Sequence, residues 1–207
     1  MKTTQRNGKA AFTLIELMAV ITIIVILAAL VVGALGFVTD RQAKERAKVQ
    51  MSLISKALED YKLDMGTYPP TSNSATGVGN TRELYTALFY EGYDYAKAGS
   101  PASWVKTVGS NSSFPKATKI YLPDLDPTAG KQGWVDAVTG ANPVPPPTAK
   151  IKDPWGTEYA YRTAVDPSGN ANPDTQNPDF DLWSFGKNAK SNISKTHKDS
   201  LDDIWNP

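Results

Sequence analysis

Among the residues whose type and spacing could do chemistry, Glu16 stands apart. It is the single carboxylate in Phe12 to Val38, FTLIELMAVITIIVILAALVVGALGFV, an apolar run with no other charge. A carboxylate in hydrocarbon costs a few kcal/mol near the bilayer centre and less at the interface, so it is expected to find a partner. The plainer alternative is an interfacial Glu that snorkels to the headgroups. Either way its chemistry is charge neutralisation, not bond making. The lone His197 sits in a Lys- and Ser-rich tail, no HExxH or GxSxG occurs, and Gly77 and Gly79 do not make a phosphate loop. Cys is absent, which excludes disulfides and thiolate metal sites. The expectation is a chain that is not an enzyme.

The element that must position Glu16 is a membrane helix. A span needs about 20 apolar residues, and this run has roughly 27. Ahead of it MKTTQRNGKAA carries Lys2, Arg6 and Lys9 and no acid, which holds that end in the cytoplasm and sends the rest outward. A cleavable secretory signal has an apolar core of only about 7–15 residues. From Thr39 to Asp64 no Pro interrupts the helical pattern. Ala43, Ala47, Met51, Ile54, Leu58, Tyr61 and Met65 recur at steps of four and three and mark one covered face, while Arg41, Lys44, Lys48, Lys56 and Asp60 lie largely on the wet side. One helix from Phe12 to Asp64 would run roughly 80 Å. Gly33 and Gly36 weaken it near the outer boundary, either for close helix packing or as a segment that melts on assembly. Gly66 and Pro69 end it.

Ala11-Phe12-Thr13-Leu14-Ile15-Glu16-Leu17 resembles the type IV prepilin signature, a basic leader followed by FTLIEL. The resemblance implies cleavage by a prepilin peptidase between Ala11 and Phe12, methylation of the Phe12 amine, and Glu16 as fifth residue of the mature chain. The family usually has Gly before the cut, where this chain has Ala11. Glu16 of one copy would then neutralise the Phe12 amine of its neighbour, a pairing that sets register because an unpartnered buried charge is strongly destabilising.

Three later strings resemble the major pseudopilin family of type II secretion. They are Ala57-Leu58-Glu59-Asp60-Tyr61-Lys62-Leu63-Asp64-Met65-Gly66-Thr67-Tyr68-Pro69, then Asp153-Pro154-Trp155-Gly156 running into Tyr159 and Tyr161, then Phe180-Asp181-Leu182-Trp183-Ser184-Phe185-Gly186. Read as residues alone, the last two are strands of an antiparallel hairpin. Tyr159 and Tyr161 share one face, Glu158 and Arg162 the other. Thr81 to Tyr90 reads as a short helix with Thr81 as its cap and Leu84, Leu88 and Tyr85 inward. The remainder up to Lys150 is a long loop, either pinned to the core by Trp104 and Trp134 or serving to bind a partner. The expected fold is α+β and pilin-like: a long N-terminal α-helix, first transmembrane and then amphipathic, packed against a small antiparallel sheet with long loops. Its divisions are a leader at 1–11, the transmembrane and assembly helix at 12–38, the amphipathic half at 39–66, and a globular domain at 67–207.

In the same family a loop after the last strand holds calcium. SFGKN resembles the family's SLGAD, which places Asn188 at the position of an Asp. Asp202-Asp203-Ile204-Trp205-Asn206 resembles its DADIxNW ending, with Asp202 as the match to the second acidic ligand. The resemblance therefore implies a calcium site at Asn188 and Asp202, with one carboxylate fewer than usual; the alternative is a polar tail whose acids are simply solvated.

Removing the three leader cations from 22 Lys and Arg leaves 19 against 21 Asp and Glu, a side-chain balance of −2. That offers no footprint for nucleic acid. The resemblance implies a homopolymer, anchored by one span in the bacterial inner membrane with its C-terminal domain in the periplasm. Its implied partners are minor pseudopilins and the inner-membrane secretion platform. The alternatives are a type IV pilus subunit for adhesion, motility or DNA uptake, and a signal-anchored binding protein that does not polymerise.

Overall fold

The computed structural model describes residues 13–69, 81–90, 119–128, 133–138, 149–165, 170–192 and 194–206. Helix α1 spans Leu14–Met65. It ends where Gly66 takes a φ of +79° and donates its N–H to the Lys62 carbonyl at 2.7 Å, the left-handed stop expected of glycine.

The chain divides into two compact units, 1–42 and 43–207. In the first, the side chains from Leu14 to Val32 are exposed, as are Phe37 and Val38, and among the described residues none of the apolar stretch is covered. An apolar surface of this extent marks contact with lipid or with another protein. Its length and composition suffice to cross a membrane.

In the second unit α1 buries Ala47, Met51, Ile54, Leu58 and Tyr61, while Lys44, Lys48, Lys56 and Asp60 are exposed. The helical spacing of the apolar residues decides which side faces the core. Helix α2, Arg82–Leu88, adds Leu84, Tyr85 and Leu88 to that core. Thr81 precedes it without a side-chain cap bond. Its hydroxyl instead donates to Glu158 at 3.0 Å and accepts the Ile151 N–H at 2.9 Å, and Glu158 also accepts the Thr81 N–H at 2.8 Å. The expected cap is thus a tie to a distant segment, and a distant carboxylate serves the start of the helix.

Three strands follow: β1 at Ala160–Thr163, β2 at Phe180–Ser184 and β3 at Ile204–Trp205, in the order β1-β2-β3 and antiparallel throughout. Tyr161 lies opposite Leu182, Arg162 opposite Asp181, and Trp183 opposite Trp205. Tyr159, Tyr161, Phe180 and Leu182 join Met51, Ile54, Leu58 and Tyr61 in one core. The Tyr159 hydroxyl donates to Gln50 Oε1 at 2.7 Å.

The opposite face of the sheet is covered too. Arg162 and Asp181 are buried and paired, and Trp183 stacks on Trp205 with centroids 4.6 Å apart and planes 7° from parallel. The Arg162 guanidinium stands 5.1 Å from the Trp183 ring. β3 itself was not expected, because a two-residue strand has no periodicity to read. Asn206 lengthens its pairing through its side chain, with Oδ1 accepting the Leu182 N–H at 2.9 Å and Nδ2 donating to the Phe180 carbonyl at 3.2 Å. Trp134 is in the core as expected, whereas Trp104 lies outside the described residues.

Candidate functional site

The helix that carries Glu16 begins with a reciprocal cap. The Thr13 N–H and hydroxyl donate to Glu16 Oε2 at 2.9 and 2.8 Å, and the Glu16 N–H donates to Thr13 Oγ1 at 3.3 Å. Thr-x-x-Glu before an apolar run is the sequence mark of a capping box, and it satisfies N–H groups that the first helical turn leaves open. TLIE carries that signal in the three-residue spacing of Thr13 and Glu16, which the charge of Glu16 alone does not reveal. The geometry gives the carboxylate a local set of donors while leaving it exposed on the helix. Ala11 and Phe12, the expected cleavage and methylation pair, lie outside the described residues.

In the globular unit the strings DPWG and FDLWSFG are joined physically. Asp153 is buried; its Oδ1 accepts the N–H groups of Trp155 and Thr157 at 3.0 and 2.8 Å, and its Oδ2 accepts the Ser184 hydroxyl at 2.6 Å. Burial pushes its carboxyl pKa up, and these donors pull it back. Gly156 closes the turn with a φ of +88°, a conformation that glycine adopts without strain. Ser184 Oγ in turn accepts the Gly186 N–H at 3.1 Å, so the turn positions the start of the C-terminal loop.

That loop brings Asn188 and Asp202 together through hydrogen bonds. Asn188 donates its N–H to Asp202 Oδ2 at 3.0 Å, and its Nδ2 donates to Asp202 Oδ1 and, at 3.0 Å, to the Asp199 carbonyl. Asn188 Oδ1 is already taken by the Lys190 N–H at 2.6 Å. Calcium requires six to eight converging oxygens. Turning the amide over to supply one would set Nδ2 against the Lys190 N–H, two donors face to face. Asp203 accepts from the Ser191 hydroxyl, which itself accepts Trp183 Nε1–H at 3.0 Å. Among the described residues no group of three or more His, Cys, Asp or Glu gathers to hold a metal. The residues present therefore do not fit the calcium site that the resemblance implied for Asn188 and Asp202.

Comparison with known proteins covers both units. Residues 6–32 match the family described as the prokaryotic N-terminal methylation motif, and residues 37–102 match type II secretion system protein G. A type II secretion system core protein G of Pseudomonas aeruginosa is 28% identical over 200 residues, covering 94% of this chain and 95% of that protein. The core protein G of Aeromonas hydrophila is 36% identical over 76 residues, 37% of this chain and 53% of that one. That of Klebsiella michiganensis is 39% identical over 67 residues, covering 32% and 47% respectively. The last two matches span about half the length of those relatives. No solved structure matches the chain. The methylation motif and the uncovered apolar helix fit a signal-anchored membrane protein. With its long helix and small antiparallel sheet, the chain has a pilin-like α+β fold and is similar along nearly its whole length to a type II secretion system core protein G.

Proposed function

We propose that this chain is the structural subunit of a periplasmic pseudopilus, polymerising through its N-terminal helix to drive type II protein secretion. The observation that carries the reading is the apolar stretch of α1, uncovered among the described residues and headed by a carboxylate. A surface of that kind is stable in lipid or against another protein, here further copies of the chain, and not in water. Copies rest in the bacterial inner membrane by one span, with the C-terminal domain in the periplasm. A prepilin peptidase cuts between Ala11 and Phe12, and the Phe12 amine is methylated. Glu16 then exchanges its Thr13 donors for the Phe12 amine of the adjacent copy as the helices stack. Minor pseudopilins and the inner-membrane platform are the partners, and a cytoplasmic ATPase of that platform supplies the work.

The test is the mass and N-terminal sequence of the protein purified from native envelopes, followed by crosslinking between single cysteines placed in α1. A chain starting at methylated Phe12 that gives crosslinked ladders supports the reading. A chain that keeps Met1, or one that is processed but never crosslinks to itself, overturns it.

A further inference from the structure

We propose that hydrogen bonds from Asn188 to Asp202 close the C-terminal loop of this chain without a cation. The inference stands on the loop's own geometry and not on the pseudopilus reading. Both oxygens of the Asp202 carboxylate receive N–H groups from Asn188, one from its backbone and one from its side chain. The side chain has a single orientation open to it, because the Lys190 N–H holds Oδ1 and leaves only donors toward Asp202 and the Asp199 carbonyl. An oxygen at that place would need a metal ion to keep it beside a carboxylate; an amide N–H needs none.

The backbone is shaped for this direct contact. Gly186 has a φ of +63°, and a Cβ there would meet the Asp202 carbonyl oxygen at 2.5 Å and its Oδ2 at 2.7 Å, so Asp202 lies against bare backbone. Ala189 also has a positive φ, +53°, which turns the chain immediately after Asn188. On the other arm the 3-10 turn Lys198–Ser200 sets the Asp199 carbonyl, and β3 begins just beyond Asp202. The bonds thus tie the segment leaving β2 to the segment entering β3.

The experiment uses the full chain in detergent. Thermal melting is recorded in EDTA and in millimolar calcium chloride, and calcium is titrated calorimetrically. The expected result is the same midpoint in both buffers and no saturable heat. Asn188→Asp places two carboxylates face to face, so its midpoint should fall by roughly 4 °C or more in EDTA and recover in calcium. Asn188→Ala should fall equally in both buffers. A saturable calcium-dependent rise in the unsubstituted chain would overturn the proposal, and so would an Asn188→Ala midpoint unchanged in EDTA. The comparison of buffers on the unsubstituted chain holds even if the Asp variant does not fold.

Discussion

The Ser184 hydroxyl donates to Asp153 Oδ2 at 2.6 Å across 31 positions of sequence. It is the bond through which the turn before β1 and the last residue of β2 become one unit. Both residues are buried, so neither group can exchange its partner for water. The same hydroxyl accepts the Gly186 N–H at 3.1 Å, which carries the constraint into the C-terminal loop.

Ser184→Ala should therefore destabilise the globular unit by about 2 kcal/mol, since it leaves a buried carboxylate oxygen and a buried N–H unserved. Asp153→Ala removes the two Oδ1 bonds as well and should cost about 3 kcal/mol or more. Urea unfolding of the full chain in detergent reads both. Values within error of the unsubstituted protein would show that the bond is replaceable.

The pair Arg162 and Asp181 makes a second, larger prediction. Arg162 Nε and Nη2 both reach Asp181 Oδ2, at 2.9 and 2.7 Å, and the two Asp181 oxygens also accept the N–H groups of Gln176 and Asn177. Removing one partner of a buried pair costs about 3–5 kcal/mol, because the other is left as an uncompensated charge. Asp181→Ala should reach that range and also loosen the loop before β2. Arg162→Met should lose less than Asp181→Ala, since the 176–177 turn keeps its acceptor. Equal losses would argue that the turn bonds carry nothing.

Asp64 should contribute to a loss of stability in acid. Its carboxylate pairs with Lys119 and accepts the Tyr121 hydroxyl at 3.0 Å, and these bonds hold its pKa below the ordinary carboxylate value. A depressed folded pKa contributes stability that is present above the unfolded value and is lost as pH falls through the folded one. Asp64→Asn should leave that loss out, giving a shallower fall in melting temperature between about pH 5 and pH 2. A variant as steep as the parent would place the acid sensitivity elsewhere.

At Glu16 two substitutions separate the cap from the charge. Glu16→Gln keeps an oxygen for the Thr13 N–H and removes the charge, so the helix start should survive while filament formation is lost. Glu16→Ala removes both and should also cost the helix about 1 kcal/mol. Membrane insertion should be unaffected in each, as read by carbonate extraction beside crosslinking yield. Normal polymer yield from the Gln protein would show that charge is not what aligns the copies.

What the sequence determined by itself was everything set by short-range periodicity. The apolar run of α1, its buried face through Ala47, Met51, Ile54, Leu58 and Tyr61, the stop at Gly66 and the β1–β2 hairpin all follow from residues a turn or a strand apart. Composition had already excluded disulfides and offered nothing to a nucleic acid. What only the tertiary structure decided were relationships between distant segments. Thr81 turned from cap to tie because Glu158 lies beside it, β3 exists because β2 offers an edge, and Arg162 is buried because Trp183 and Asp181 enclose it. Asn188 and Asp202 were paired only by the family resemblance, and as calcium ligands. That one donates to the other depends on where Lys190 and Asp199 place their backbone groups, and hydrogen-bond direction at a side-chain amide is fixed by surroundings that no local pattern records.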